Sequence, residues 1–226
     1  MCGRYFINTL PETLAEQFLV QAPTDHSSSF NIAPSQKCAI VRPDEGGGRE
    51  LTYAHWGLIP FWAKDRKIGS RTINARLETA RDKPAFRAAW KRRRCLVPAS
   101  GYYEWVGQGK KKTPFALVPT QSSLLALAGL WERWTDDDKG TQLESFTIIT
   151  TEAAGPAAEI HHRMPLMLDG ELQEDWLSHR LDDPANIATT VAQAKPSQTV
   201  SHYAVSSSVN AVRNNYPELL EPAQLI

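Results

Sequence analysis

The sequence predicts an α+β domain built around a curved sheet, and three observations carry that reading. Short apolar or β-branched runs recur along the whole chain, helical patterns are few and scattered, and 226 residues at 42% apolar content suffice for one core. The runs expected as strands are Cys38–Arg42, Leu51–Trp56, Arg94–Val97, Tyr102–Val106, Phe115–Val118, Leu124–Leu130, Phe146–Thr151 and Val200–Val205. Ser27–Ser29 and Gly46–Gly48 read as loops. A first helix is expected after Thr9, with Glu12 completing a capping box and Leu14, Phe18 and Leu19 forming its apolar stripe. A second is expected after Asp82, with Phe86, Ala89 and Trp90 on one face. A third opens at Asp183-Pro184 and turns Ile187 and Val191 inward. No repeat, P-loop or dinucleotide-binding pattern interrupts this order.

Composition narrows the function classes. No apolar run approaches the ~18 residues of a membrane span, and no basic segment precedes an apolar stretch at the N-terminus. Cys2, Cys38 and Cys95 are an odd count without metal-ligand spacing, which argues against a disulfide framework or a zinc site. A soluble, cytoplasmic protein is expected, with no membrane partner, no metal and no small-molecule cofactor. The net charge of zero hides an asymmetry: residues 63–112 carry 15 basic and 4 acidic side chains, residues 113–190 carry 4 and 13. A basic block interleaved with Trp62, Phe86 and Trp90 suits a polyanion whose bases can stack. A solvated helix face accounts for the same charges.

The residues able to carry chemistry are spread along the chain. Removal of Met1 would leave Cys2 with a thiol and an α-amine on adjacent carbons. Such an amine, with an ordinary pKa of about 7.7–8.0, attacks an aldehyde to give a Schiff base, and the thiol then closes a thiazolidine. The alternative is a buried apolar cysteine that happens to follow the start. Asn74, Arg76 and Glu78 alternate in Ile73–Thr79 and would share a face if extended; an Asx turn with a surface ion pair is the plainer reading. Glu104 lies among aromatics in Gly101–Trp105, where a carboxyl suits acid–base work or pairs with an arginine. His161 and His162 are adjacent, a poor geometry for one metal but adequate for a proton shuttle. Trp56–Trp62 forms either a stacking wedge or a corner of the core.

Taken in order, Met1–Tyr5, Phe30–Pro34, Trp56–Pro60, Ile73–Thr79, Gly101–Trp105 and Ile160–Pro165 resemble the SOS-response-associated peptidase (SRAP) family of abasic-site processing proteins. The resemblance runs from residue 2 to about Asn215, leaving 216–226 as a tail of a single domain spanning 1–226. It implies a barrel-like mixed sheet with peripheral helices and a positive cleft for single-stranded DNA. It further implies loss of Met1 by the protein's own peptidase activity and a covalent thiazolidine between Cys2 and the aldehyde of an abasic site, with lyase-like reversal assisted by Glu104. By position, Asn74 holds the Cys2 end, Glu104 is the acid/base and His161 assists ring opening. Arg4, Asn31, Trp62, Arg76, Thr150 and Arg163 correspond to positions near the DNA or the lesion. The chain departs from the family at His162, where an Asp is usual. A monomer acting in the DNA damage response, nucleoid-associated in a bacterium, is the matching expectation.

Two other classes compete. An N-terminal-nucleophile cysteine amidohydrolase would use the Cys2 thiol on an amide, with its amine as base. A non-catalytic single-strand binder would need only the basic and aromatic residues, with Cys2 dispensable.

Overall fold

In the computed structural model the described residues are 2–108, 111–136, 140–180, 182–193 and 200–223. The fold is α+β, a closed five-stranded barrel with a second sheet against it and few helices. Strands β3 (Lys37–Pro43), β4 (Arg49–Trp56), β6 (Arg94–Ala99), β9 (Leu125–Asp136) and β10 (Thr141–Glu152) form the barrel. Antiparallel ladders join β4 to β3, β3 to β6, β6 to β9 and β9 to β10. A short parallel ladder, Ser145 with His55 and Phe146 with Trp56, returns β10 to β4 and closes the ring. Closure gives each of these five strands a neighbour on both sides.

The second sheet has the order β12-β8-β7-β1-β2, from β1 (Tyr5–Ile7), β2 (Ser29–Ile32), β7 (Gly101–Gln108), β8 (Lys111–Pro119) and β12 (Val200–Ala204). Its side chains alternate between two cores. Tyr5, Tyr102 and Leu117 join the main cluster shared with the barrel, whereas Phe6, Tyr103 and Ala116 pack on Val209 and Leu219 of the C-terminal segment. The expected tail therefore folds back: Leu219 is fully buried and Pro222 bridges Val205.

One excursion from the barrel wall positions the chemistry. The chain leaves β4 at Gly57, whose N–H donates to Phe146 O, and returns beside the same strand at Ile73, whose carbonyl accepts from Ile148 N–H. It continues as β5 (Asn74–Arg76), parallel to β10 with Asn74 opposite Ile148 and Arg76 opposite Thr150. The neck of the excursion is a backbone contact between Gly57 and Gly69. Gly57 has φ +127°, and a Cβ there would lie 2.5 Å from Gly69 O. The Trp56 indole ties off the neck by donating to Ile73 O at 2.9 Å.

The eight expected strands all form. Four short ones had no legible pattern: β1, β2, β5 and β11 (Arg163–Pro165). The helices differ more. Helix α1 (Pro11–Phe18) has Leu10 at its N-cap with no side-chain cap, so Thr9 and Glu12 form no capping box. Pro11 opens it by presetting φ, and Leu19 ends it in the left-handed region, 72% exposed, leaving Leu14 and Phe18 as the apolar face. Asp82 caps nothing: a turn over Lys83–Phe86 precedes α3 (Arg87–Arg92), although Phe86, Ala89 and Trp90 are buried as expected. The second short helix, α2, is Leu77–Ala80, and α4 is Pro156–Ile160. In α5 (Glu171–Leu177) Trp176 packs edge-on to Trp90 and donates to Cys95 O. Asp183 accepts from Ala185 N–H before α6 (Pro184–Gln193), which buries Ile187; the Val191 side chain lies outside the described residues.

Candidate active site

The N-terminal segment enters between the two sheets, and Cys2 is fully buried in the main core. Asn74, at the first position of β5, donates from Nδ2 to Cys2 O at 2.7 Å. The next residues are held as firmly: Arg4 O accepts from Tyr103 N–H, and Tyr5 sits opposite Tyr102. Because β7 alternates, Tyr102 and Glu104 share its inner face while Tyr103 points to the C-terminal segment. Glu104 is thus buried beside the Cys2 thiol. Burial first, and the Glu104 carboxylate second, push the thiol far above its ordinary pKa of 9.0. The Tyr102 phenol is pushed up by the same burial and then by Cys2 and Glu104. At neutral pH the thiol therefore keeps its proton, and it needs a neighbouring base to act as a nucleophile.

The end of β10 supplies the third side of the site. Thr150 is flanked by Arg76 of β5 on one edge and by Pro165 of β11 on the other. Its side chain is fully buried and its hydroxyl leans on Ala75 O, so Thr150 contributes backbone: its carbonyl accepts from Arg163 at 2.6 Å. Arg163 also grips the Glu78 carboxylate with both guanidinium nitrogens, at 2.6 and 3.0 Å. Burial pushes the Glu78 carboxyl up, but the Arg163 fork together with a backbone hydrogen bond and Arg76 outweighs it, and the net shift is downward. Asn74, Arg76 and Glu78 do not share one extended face. The strand ends at Arg76, and Glu78 in α2 pairs with Arg163, leaving Arg76 exposed.

His161 sits where α4 gives way to β11, in extended conformation. Its Nδ1 lies 2.9 Å from Arg163 N–H and 3.0 Å from Arg163 O. A neutral ring accepts from the N–H and carries its proton on Nε2; an imidazolium donates to the carbonyl. The exposed His162 ring stacks on it with centroids 4.3 Å apart, and repulsion from His161 is the main cause lowering the His162 pKa, followed by burial and then by the chain's terminal amine, Arg163 and Arg76.

Other expected contacts are engaged elsewhere. Arg4 donates to Asn31 Oδ1 at 2.7 Å and to Val209 O at 2.8 Å, with its guanidinium 5.8 Å from the Trp105 ring. Asn31, 2% exposed, donates to the carbonyls of Val209, Ala211 and Asn214. Both residues fasten the C-terminal segment against β2. The aromatic stretch divides: Trp56, Leu58 and Ile59 belong to the core, while Phe61 and Trp62 are 56% and 49% exposed. Phe86 and Trp90, read as candidate stacking residues, are buried. Tyr102 gained no role from sequence alone, and Glu78 was read in a surface ion pair whose partner, Arg163, was not named. Strand parity in Gly101–Trp105 is the signal that places Tyr102 beside Glu104; nothing local pairs Glu78 with a residue 85 positions away.

Cys38 and Cys95 are buried, and burial raises both thiols, Cys38 to about 11. Among the described residues no group of three or more His, Cys, Asp or Glu could hold a metal ion, and no helix is long and apolar enough to cross a membrane.

Comparison with known proteins agrees along the whole chain. Residues 1–212 match the family model described as SOS response associated peptidase (SRAP). The abasic site processing protein YoqW of Bacillus subtilis is 39% identical over 225 residues, covering 98% of this chain and 99% of that relative. The abasic site processing protein HMCES of Gallus gallus is 34% identical, covering 87% of this chain and 67% of its own length. Among solved structures, a protein from Bacteroides thetaiotaomicron superposes with a TM-score of 0.82 at 24% identity over 99% of this chain and all of its own, a likeness of fold. A phage-related protein from Bordetella bronchiseptica does so with a TM-score of 0.69 at 26% identity, over 91% of this chain and 95% of its own. The chain therefore belongs to the SOS response associated peptidase (SRAP) family, whose curated relatives here are abasic site processing proteins.

Proposed function

We propose that the protein traps abasic sites in single-stranded DNA as a thiazolidine on Cys2, after hydrolysis of the Met1–Cys2 bond frees the amine. The observation that carries this reading is the buried pocket in which Asn74 holds the Cys2 carbonyl at 2.7 Å while Glu104 faces the thiol. The amine adds to the sugar aldehyde, and the carbinolamine loses water to give an imine. The thiol sulfur then adds to the imine carbon and its proton passes to the nitrogen. One water leaves, nothing is oxidised or reduced, and no cofactor is required. Glu104 is suited to take the proton from the thiol and return it, which also gives the reverse reaction a path. His161, with its proton on Nε2, offers a donor to the sugar oxygen as the ring opens. Arg76, Arg163 and Trp62 supply backbone and stacking contacts, which suffice for a lesion with no base to read. Arg4, Asn31 and Thr150 shape the floor from behind.

Removal of Met1 is assigned to the protein itself, with Cys2 and Glu104 acting on a bond that water cleaves. The test mixes purified protein with a single-stranded oligonucleotide carrying one abasic site, followed by denaturing electrophoresis and intact mass. A denaturant-resistant adduct, one water lighter than the sum and absent from Cys2→Ala or from a borohydride-reduced oligonucleotide, is expected. Protein lacking Met1 that forms no adduct would overturn the reading and favour amide hydrolysis.

A further inference from the structure

Tyr5 of β1 and Tyr102 and Tyr103 of β7 are all buried, and their hydroxyls fare differently. The Tyr5 hydroxyl bonds the Cys38 thiol, and the Tyr103 hydroxyl donates to Phe30 O at 2.8 Å. The Tyr102 hydroxyl is fully buried and meets no hydrogen-bond partner among the described residues. An unpaired buried hydroxyl is costly, and a phenylalanine would fill the same space without that cost. Packing explains the ring and gives no reason for the oxygen.

The surroundings of Tyr102 supply one. It sits opposite Tyr5, its ring lies in the main core with Cys2, and by strand alternation it shares the inner face of β7 with Glu104. Cys2 and Glu104 are the charges that act on the phenol, which burial keeps protonated at neutral pH. In the resting protein the thiol leans on Arg4 O at 3.9 Å, and a sulfur that still carries its hydrogen is a weak acceptor. Loss of that proton turns the sulfur into an anion inside an apolar pocket, where a hydrogen-bond donor matters most. The Asn74 amide nitrogen is already committed to Cys2 O.

We infer that the Tyr102 hydroxyl is the donor reserved for that sulfur, bonding it as its proton leaves for Glu104 and again when the carbon–sulfur bond reopens. The inference rests on the thiazolidine reading above and adds a catalytic residue to it. The thiol proton passes through Glu104 to the ring nitrogen. The carbon–sulfur bond forms as the imine double bond gives its electron pair to that nitrogen, and Tyr102 keeps its own proton throughout. Imine formation, which uses the amine alone, proceeds without Tyr102.

The test uses Tyr102→Phe, which removes the oxygen and keeps the ring, with Tyr103→Phe as the control for a phenol lost from the other face of the strand. Protein lacking Met1 reacts with a single-stranded oligonucleotide carrying one abasic site, and samples are quenched over time with and without borohydride. Borohydride fixes the imine as an amine two hydrogens heavier than the thiazolidine, so intact mass separates the two. In Tyr102→Phe the imine should form at the wild-type rate and accumulate. Its closure should slow by about 10- to 100-fold, the scale of one hydrogen bond to a charged atom. The urea midpoint of Tyr102→Phe should hold or rise, because an unsatisfied group has gone. Tyr103→Phe should lose stability and close at the wild-type rate. Wild-type closure in Tyr102→Phe would overturn the inference, as would equal slowing of imine formation and closure, the mark of a packing role. Wild type that gives neither species with abasic DNA would instead sink the thiazolidine reading, and the inference with it.

Discussion

Glu104 exerts two opposed influences on Cys2. Its charge helps hold the thiol protonated, yet its carboxylate is the nearest base in the proposed chemistry. Glu104→Gln should therefore move two measurements in opposite directions. Thiol alkylation by iodoacetamide at about pH 9 should speed up, because the pKa of Cys2 falls when the neighbouring charge is removed. Adduct formation with abasic DNA should slow by about 10²-fold or more, the usual scale for loss of an acid–base group. Slowing of both would show that Glu104 shapes the pocket without acting as a base. Asn74→Ala removes one hydrogen bond to Cys2 O and should slow adduct formation about tenfold, measured as the single-turnover rate with protein in excess. At this scale the sequence was informative: Cys2, Asn74, Glu104 and His161 stood out as chemically useful types. The roles of Arg4 and Asn31 were not legible, because their partners lie near residue 209, and no local pattern encodes a contact across 178 to 205 positions.

Strands were easier to read than helices for a physical reason. Runs such as Leu125–Leu130 and Phe146–Thr150 are buried, and burial demands apolar residues without a break. Helices α1 and α3 are short and have no side-chain cap, so the capping residues read for them misdirect, whereas Asp183 does cap α6. Strands β5 and β11 have three residues each, too few for any period to show, and exist because β10 offers them an edge. The excursion between β4 and β5 gives the sharpest test. Gly57→Ala would combine left-side strain at φ +127° with a contact of 2.5 Å to Gly69 O. A loss of about 2–4 kcal/mol is expected, read from the urea midpoint. Adduct formation should fall as well, since Asn74 is set by the same neck.

On β10 itself, Glu144 accepts from Arg42 at 3.1 Å and from Arg133 at 2.8 Å. Burial raises its pKa, but the two guanidinium groups prevail and the net shift from 4.5 is downward. A carboxylate with a lowered folded pKa stabilises the fold above its unfolded value and loses that contribution as pH falls through the folded value. Stability should thus decline below about pH 4.5, and Glu144→Gln should make the midpoint of urea unfolding less sensitive to pH in that range. A variant with an unchanged acid profile would exclude Glu144 as a source of the decline.

Over the whole molecule, both ends of the described chain are bound into the second sheet. Arg4 and Asn31 hold Val209, Ala211 and Asn214, and Val209 and Leu219 seal the outer face of β1, β7 and β8. Ending the chain after residue 206 removes that seal and leaves Asn31, 2% exposed in the full chain, without its three carbonyls. Loss of a cooperative thermal transition is expected by circular dichroism. A sharp melt near that of the full chain would show that the segment is dispensable. The α+β class was legible from the number of β runs, but the barrel came only with the family resemblance, because ring closure depends on two residue pairs between β4 and β10.

The clasp between Arg4 and Val209 O has a consequence for the order of events during synthesis. Cys2 and Arg4 leave the ribosome well before Arg4's partner, which is made 205 residues later. Asn74, Glu104 and Arg163 emerge in between, so the surroundings of Cys2 are assembled piecemeal and are closed only once Val209 has been made. On a growing chain the terminus is an ordinary solvated peptide end. In the proposed chemistry the Cys2 amine and thiol thereby stay unassembled until the segment around Val209 has been made.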